Sequence, residues 1–473
     1  MTLNYRKLAS NALAAFFAQG ISMLISAMTS IFVPKIMGVE DFGYWQLFMF
    51  YASYVGFFHL GINDGVYLEQ GGKTRSEINK KEIASEFRFS IVYQSAFALI
   101  LVFVGQHAIE SPSRAFVITA TALFLLLNNL SSFLGFLLQS MNEIKKYSIS
   151  ILVDRLIFLI PLFIFLIIRC ADFKLYILAY ACSKTCCLLY CIYNLRDIIF
   201  AKALPFKQTL SLSAKSIRVG FKLTIANVSS MLIIGIARAL VDMEWGIKDF
   251  GQVSFALSLV TFFLTFVSQA SLVLFPALRT IDKKELVHLY SSIKIFMSYF
   301  FPFAYLIFFP IAWIMRLWLP QYSIAFSYLA ILMPICVFDT KMDICCTTYM
   351  KVMRMEKQLL ILNLSSVCIS AIGCYFVAKV FHSINGILIV AVSVVILRSI
   401  IAEMLVNLRL NVTSDIITLF ELFVTVIYIM LSFAPTHIFA AGTFILISAY
   451  AIGFRRFFSL FINSIKKHFI KTN

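Results

Sequence analysis

Stretches of about twenty mostly apolar residues, each long enough to cross a hydrocarbon core, recur about fourteen times along this chain. They fall near 8–36, 43–67, 87–109, 114–139, 147–169, 174–193 and 218–241, then 250–278, 292–317, 323–350, 357–379, 384–408, 415–433 and 437–456. The third, fifth, sixth and twelfth are interrupted by charges, which softens their boundaries. Composition agrees: 61% of the 473 residues are hydrophobic and 13% charged, against about half and a quarter in a soluble domain. The chain therefore reads as an all-α polytopic membrane protein. The first run follows Arg6 and Lys7 but is too long for a signal h-region and lacks a small-x-small cleavage site, so a retained helix is expected. All ten cysteines lie in or at the ends of spans, where they act as small hydrophobes. No disulfide is expected, and no metal site, since the Cys182–Cys191 group has no histidine or acid nearby.

Gly38-Val39-Glu40-Asp41-Phe42-Gly43 returns as Gly246-Ile247-Lys248-Asp249-Phe250-Gly251, each time in a short polar gap between apolar runs. Two related halves, each opening with a membrane hairpin, are the organisation of a secondary transporter. The glycines fit left-handed helix ends and the aspartates fit N-caps. With the N-terminus inside, 25 of the 40 Lys and Arg fall in inner gaps and tails, 7 in outer gaps and 8 within spans. That bias places both termini in the cytoplasm. Six spans separate the copies, so the halves should be related by a pseudo-twofold axis along the membrane normal. The expected domains are an N-terminal six-helix bundle (1–193), an amphipathic cytoplasmic linker (194–217), a C-terminal six-helix bundle (218–409), two added helices (410–456) and a basic tail (457–473).

Ionisable groups inside a span are costly and persist where they pair, snorkel or face a polar cavity. Eight cations lie in spans: Arg88, Arg155, Lys184, Lys222, Arg238, Lys294, Lys341 and Arg398. Six acids join them: Asp64, Asp154, Asp339, Asp343, Glu403 and Glu421. Arg88, Lys222 and Lys294 lie close enough to inner helix ends to snorkel. A water-filled cavity with a positive lining would draw an anionic headgroup, and a diphosphate suits it because Arg binds two phosphate oxygens in parallel. The candidates for that lining are Arg155, Lys222, Arg238, Lys341 and Arg398, with Arg88 and Lys294. Asp64, in Gly61-Ile62-Asn63-Asp64-Gly65, and the Asp339/Asp343 pair are candidates for ion coupling. Pro276, Pro302, Pro310 and Pro334, all in the second half, can kink their helices.

The segment Asn11…Gln19-Gly20…Pro34-Lys35-Ile36-Met37-Gly38-Val39-Glu40-Asp41-Phe42-Gly43-Tyr44-Trp45 resembles the first hairpin of Wzx-type flippases. These export O-antigen and capsule units, in the superfamily that also holds MATE exporters and the lipid II flippase. His59-Leu60-Gly61-Ile62-Asn63-Asp64-Gly65 resembles the glycine-bearing end of their second helix. The resemblance implies two six-helix bundles around a cationic cavity. It also implies transfer of an undecaprenyl-diphosphate-linked oligosaccharide across the bacterial inner membrane, upstream of a glycan polymerase and chain-length regulator. Some relatives carry arginines in the first helix; here no cation lies between Lys7 and Lys35. A small-molecule exporter of the same fold would need an acidic, aromatic cavity. A polymerase or ligase would need outer-face catalytic residues and a large outer loop, and the chain has neither HExxH, GxSxG nor a P-loop. The expectation is a transporter rather than an enzyme, without cofactor, metal or nucleic-acid partner.

Overall fold

The computed structural model describes residues 20–278, 282–412 and 415–471. Arg6, Lys7, Asn11, Gln19 and Arg279, which entered the readings above, lie outside the described residues, as do the side chains of Pro276, Lys283, Lys284 and the tail from Arg456. Among the described residues every regular element is helical. Nine helices among the described residues are long and apolar enough to cross a membrane, or up to twelve if each bent pair is one span, and a shorter apolar helix covers Ile417–Leu431. Two compact units divide between Val228 and Ser229.

In the first unit the helices are α1 (Gly20–Ile31), α2 (Val33–Tyr54), α3 (Ile62–Gln70), α4 (Lys80–His107), α5 (Pro112–Ser140), α6 (Ile144–Ile167), α7 (Phe173–Ile199) and the start of α8 (Phe206–Trp245). The linker expected over 194–217 is the end of α7, residues 200–205 and the first turns of α8. Starts follow local capping: Asn79, Ser111 and Asp172 each turn a side-chain oxygen onto a backbone N–H of the next turn. Helix α5 is the hub. It packs on α2, α3, α4, α6 and α7, and 67% of its spanning window is buried against 22% for α4 and for α6. The outer face of α6 shows why: Leu156, Ile160, Phe163, Ile164 and Ile167 recur at helical spacing and are exposed, an apolar stripe suited to lipid.

The second unit holds the rest of α8, then α9 (Ile247–Leu278), α10 (Lys283–Phe300), α11 (Ala304–Trp318), α12 (Ser323–Lys341), α13 (Thr348–Val352), α14 (Glu356–Val380), α15 (Ile384–Leu410), α16 (Asp415–Leu431) and α17 (Thr436–Lys471). Here α12 is the hub, packed on α9, α11 and α15, and 78% of the Pro320–Val352 window is buried. A π-helical turn, Met342–Thr347, joins α12 to α13.

The duplicated motif keeps its backbone. Gly38 (φ 76°) breaks α2 and Gly246 (φ 85°) separates α8 from α9, conformations open to glycine alone at little cost. Phe42 and Phe250 are both fully buried. The aspartates are not the caps: the Gly246 carbonyl accepts the first bond of α9, from Phe250 N–H, and Asp249 sits in the first turn. The span expected over 43–67 is also broken. Helix α2 ends at Tyr54, a 3-10 turn covers Val55–His59, and Leu60 and Gly61 are left-handed before α3 starts. Pro302 lies in the Phe301–Phe303 break, where α10 and α11 meet at 42°. Prolines inside helices are not confined to the second half, since Pro161 lies inside α6.

Candidate functional site: buried charge clusters

The break before α3 places a titratable pair on a glycine crossing. A Cβ on Gly65 would lie 2.0 Å from the Ser216 carbonyl oxygen, and one on Gly220 would lie 2.0 Å from the Gly61 oxygen. Only bare backbone allows α3 and α8 to touch here. That contact lets Thr224 of α8 donate to Asp64 Oδ2 at 2.6 Å. His59 Nδ1 accepts from the Gly61 N–H at 3.0 Å, so the neutral ring carries its proton on Nε2. That nitrogen faces Asp64 Oδ2 at 3.8 Å. The freed backbone is satisfied from α5, where Asn129 donates to the Val55 carbonyl at 2.9 Å and accepts, through its own carbonyl, from the Asn63 amide at 2.9 Å.

Between α6 and α7, Asp154 pairs with Lys184 at 2.9 Å and accepts from Ser183 at 3.2 Å. Arg155, next in sequence, points to another face and lies beside Tyr180. At one end of the unit Arg75 grips Glu143 through two bonds, of 2.7 and 3.0 Å, and reaches Asp197 at 2.7 Å. Lys80 and Lys146 complete this cluster. The Arg75 hydrogen bond holds the Glu143 carboxyl below the usual carboxylate range.

In the second unit four charges from four helices meet. Glu403 of α15 takes Lys294 of α10 on one oxygen and Lys341 of α12 on the other, the latter at 2.6 Å. Lys341 also reaches Glu421 of α16 at 2.5 Å. Thr418 donates to Glu403 at 2.7 Å. All four charged side chains are 1–3% exposed, and two lysines with two glutamates sum to zero when ionised. Arg398 of α15 forms a separate ion pair with Asp339 of α12.

The candidate cations therefore sort by surroundings. Lys294, Lys341 and Arg398 are buried and hold carboxylates. Arg238 donates to Ser254 at 2.9 Å and lies over the Phe250 ring at 5.1 Å. Arg88 is exposed and donates to the Ala201 carbonyl at 2.9 Å, and Lys222 is exposed. Among the coupling candidates, Asp64 is buried with His59 and Thr224, whereas Asp339 and Asp343 part company. Asp339 faces Arg398 and Asp343 lies in the π turn. Glu403 and Glu421, like Asp154 and Lys184, are groups that sequence reasoning left without a role.

No family model matches the chain, and no curated protein does. Solved structures do match. The lipid II flippase MurJ, in an inward closed conformation, superposes with a TM-score of 0.60 at 12% identity, covering 95% of this chain and 98% of that one. An inward-facing multidrug resistance MATE transporter of the MOP superfamily gives 0.56 at 14% identity, covering 84% and 98%. This is the fold of the MOP-superfamily transporters. A MATE mutant repeats the match at 0.52 and 13% identity, covering 84% and 94%. A MOP-type fold with these apolar helices makes the chain a multi-pass membrane protein.

Proposed function

We propose that the protein is a flippase for lipid-linked oligosaccharide units carried on undecaprenyl diphosphate. It moves them from the cytoplasmic to the periplasmic leaflet of a bacterial inner membrane by alternating access. Both termini lie in the cytoplasm, and a glycan polymerase with its chain-length regulator takes the product. The observation that carries this reading is the reach of the lipid flippase match. It extends over 95% of the chain where the two MATE structures reach 84%.

The energy source in this reading is an ion gradient or the membrane potential, as no nucleotide-binding motif is present. The diphosphate falls to the cations that are not committed to buried carboxylates, foremost Lys222, whose exposed position within a long helix needs water or an anionic group. A small-molecule exporter is the second reading, supported by the MATE match. An O-antigen polymerase or ligase is the third and lacks an outer-loop site.

The test is deletion of the gene in its native host, followed by an assay of which leaflet holds the lipid-linked glycan. Complementation uses wild type and Lys222→Gln, which removes the charge from an exposed side chain. Cytoplasmic-side accumulation cleared by wild type but not by the variant is the expected result. Periplasmic accumulation of unpolymerised glycan would refute the flippase and favour the enzyme.

A further inference from the structure

Helix α12 is weak at two points. Pro334 removes a backbone hydrogen bond inside it, and at Lys341 it gives way to the π turn Met342–Thr347. Turns of this kind mark places where helices bend or shift register. The charged groups of the second unit gather at this stretch. Asp339 is held by Arg398 of α15, and Lys341, the last residue before the π turn, reaches carboxylates on two different helices.

One of those helices, α16, comes after the twelve-helix core predicted from sequence, and its side chains reach back to it in three places. Glu421 meets Lys341 of α12, Thr418 meets Glu403 of α15, and Thr425 shares a 2.8 Å hydrogen bond with Tyr305 of α11. Of these ties the ion pair alone sits where α12 changes from α to π geometry. With Lys341 3% and Glu421 2% exposed, no solvent can replace either partner, so the two helices must move together or leave a bare charge.

We infer that the Lys341–Glu421 pair is a latch through which α16 sets the bend of α12 at the π turn. On the flippase reading both are then positioning residues for transport. The latch itself does not rest on it.

The chain carries its own reporters. Cys345 and Cys346 lie within the π turn, both fully buried, with Cys345 against Met297 of α10. Cys187 and Cys191 are buried in the first unit and serve as controls. The full-length protein in native membrane vesicles is treated with N-ethylmaleimide, and each cysteine's labelling rate is read by mass spectrometry. In Glu421→Gln the rates at Cys345 and Cys346 rise by about tenfold or more while those at Cys187 and Cys191 hold, the pattern of a local opening. If Glu421→Gln does not accumulate, Glu421→Asp, which keeps the charge but shortens its reach to Lys341, is read in the same way.

Unchanged labelling at the π turn, or an equal rise at all four cysteines, overturns the latch. Complementation of the deletion host is scored in parallel. A variant that labels fast yet complements fully overturns the positioning role and leaves the flippase reading standing. Failure of wild type to clear cytoplasmic-side glycan would overturn that reading and leave the latch intact.

Discussion

Gly220→Ala should open the crossing of α3 and α8. The new Cβ would stand 2.0 Å from the Gly61 oxygen, 2.5 Å from the Gly65 nitrogen and 2.9 Å from the Gly61 carbonyl carbon. Every one of these atoms is backbone, so no side chain can rotate away. An ordinary contact requires the two segments to part by more than 1 Å, and forced overpacking of this kind costs about 1–3 kcal/mol. The same parting stretches the 2.6 Å bond from Thr224 to Asp64, and a buried carboxylate deprived of a donor loses about 1.5–3 kcal/mol more. The sum, about 2.5–6 kcal/mol, is large for one methyl group. Thermal unfolding of the purified protein in detergent, followed by loss of the monodisperse chromatographic peak, should show a midpoint lowered by about 5 °C or more. Gly453→Ala is the control, because nothing lies within 4 Å of its Cβ and its backbone is helical. It should match or slightly exceed wild type, as alanine favours a helix interior by about 0.5–1 kcal/mol over glycine. A Gly220→Ala midpoint within about 1 °C of wild type would refute the close-approach argument.

Lys184→Met strands Asp154 in the α6–α7 interface and should destabilise by about 3–5 kcal/mol, while Lys184→Met/Asp154→Leu should recover most of the loss; chemical denaturation of the purified protein reads both. Asn129→Leu leaves the Val55 carbonyl without its donor and should cost about 1–3 kcal/mol in the same assay. The Glu143 carboxyl is held below its ordinary value of 4.5 by Arg75, so its contribution is present above that value and disappears as pH falls through the lowered one. Midpoints scanned downward from pH 6 should therefore fall less steeply in Arg75→Gln than in wild type, and parallel curves would show that the pair contributes nothing.

Helix class and most spans were readable because apolar runs near twenty residues admit little else, and Gly38 and Gly246 announced the breaks they make. The break after Tyr54 was half-visible. Gly61 marked its end, but Val55–His59 contains no helix breaker apart from Gly56, and its stabilisation by Asn129 comes from 74 positions away. The π turn had no signal, since Met342-Asp343-Ile344-Cys345-Cys346-Thr347 has no glycine or proline. The in-span cations stand out in the sequence as costly groups, and reading them as a cavity lining follows from their excess over acids. That excess hides the pairing: Lys341 meets Glu421 across 80 positions, and no periodicity reports which faces of distant helices meet. The topology of α12, α15 and α16 makes that pairing, and sequence supplied only the list of participants.

The buried quartet also constrains how the chain is made. Synthesis runs from Lys294 and Lys341 toward Glu403 and Glu421, so both cations enter the membrane before either counter-charge exists. Eighty residues separate Lys341 from Glu421, an interval of about 4–16 s at ~5–20 residues per second. Glu403 is made within that interval but cannot neutralise both lysines, so until α16 arrives one of them stays near the lipid headgroups or in contact with water. The second half of this protein therefore cannot settle helix by helix as each one emerges. Its hub has to wait for the last pair, and a chain cut short before α16 leaves the ribosome with a charge that nothing in the bundle can answer.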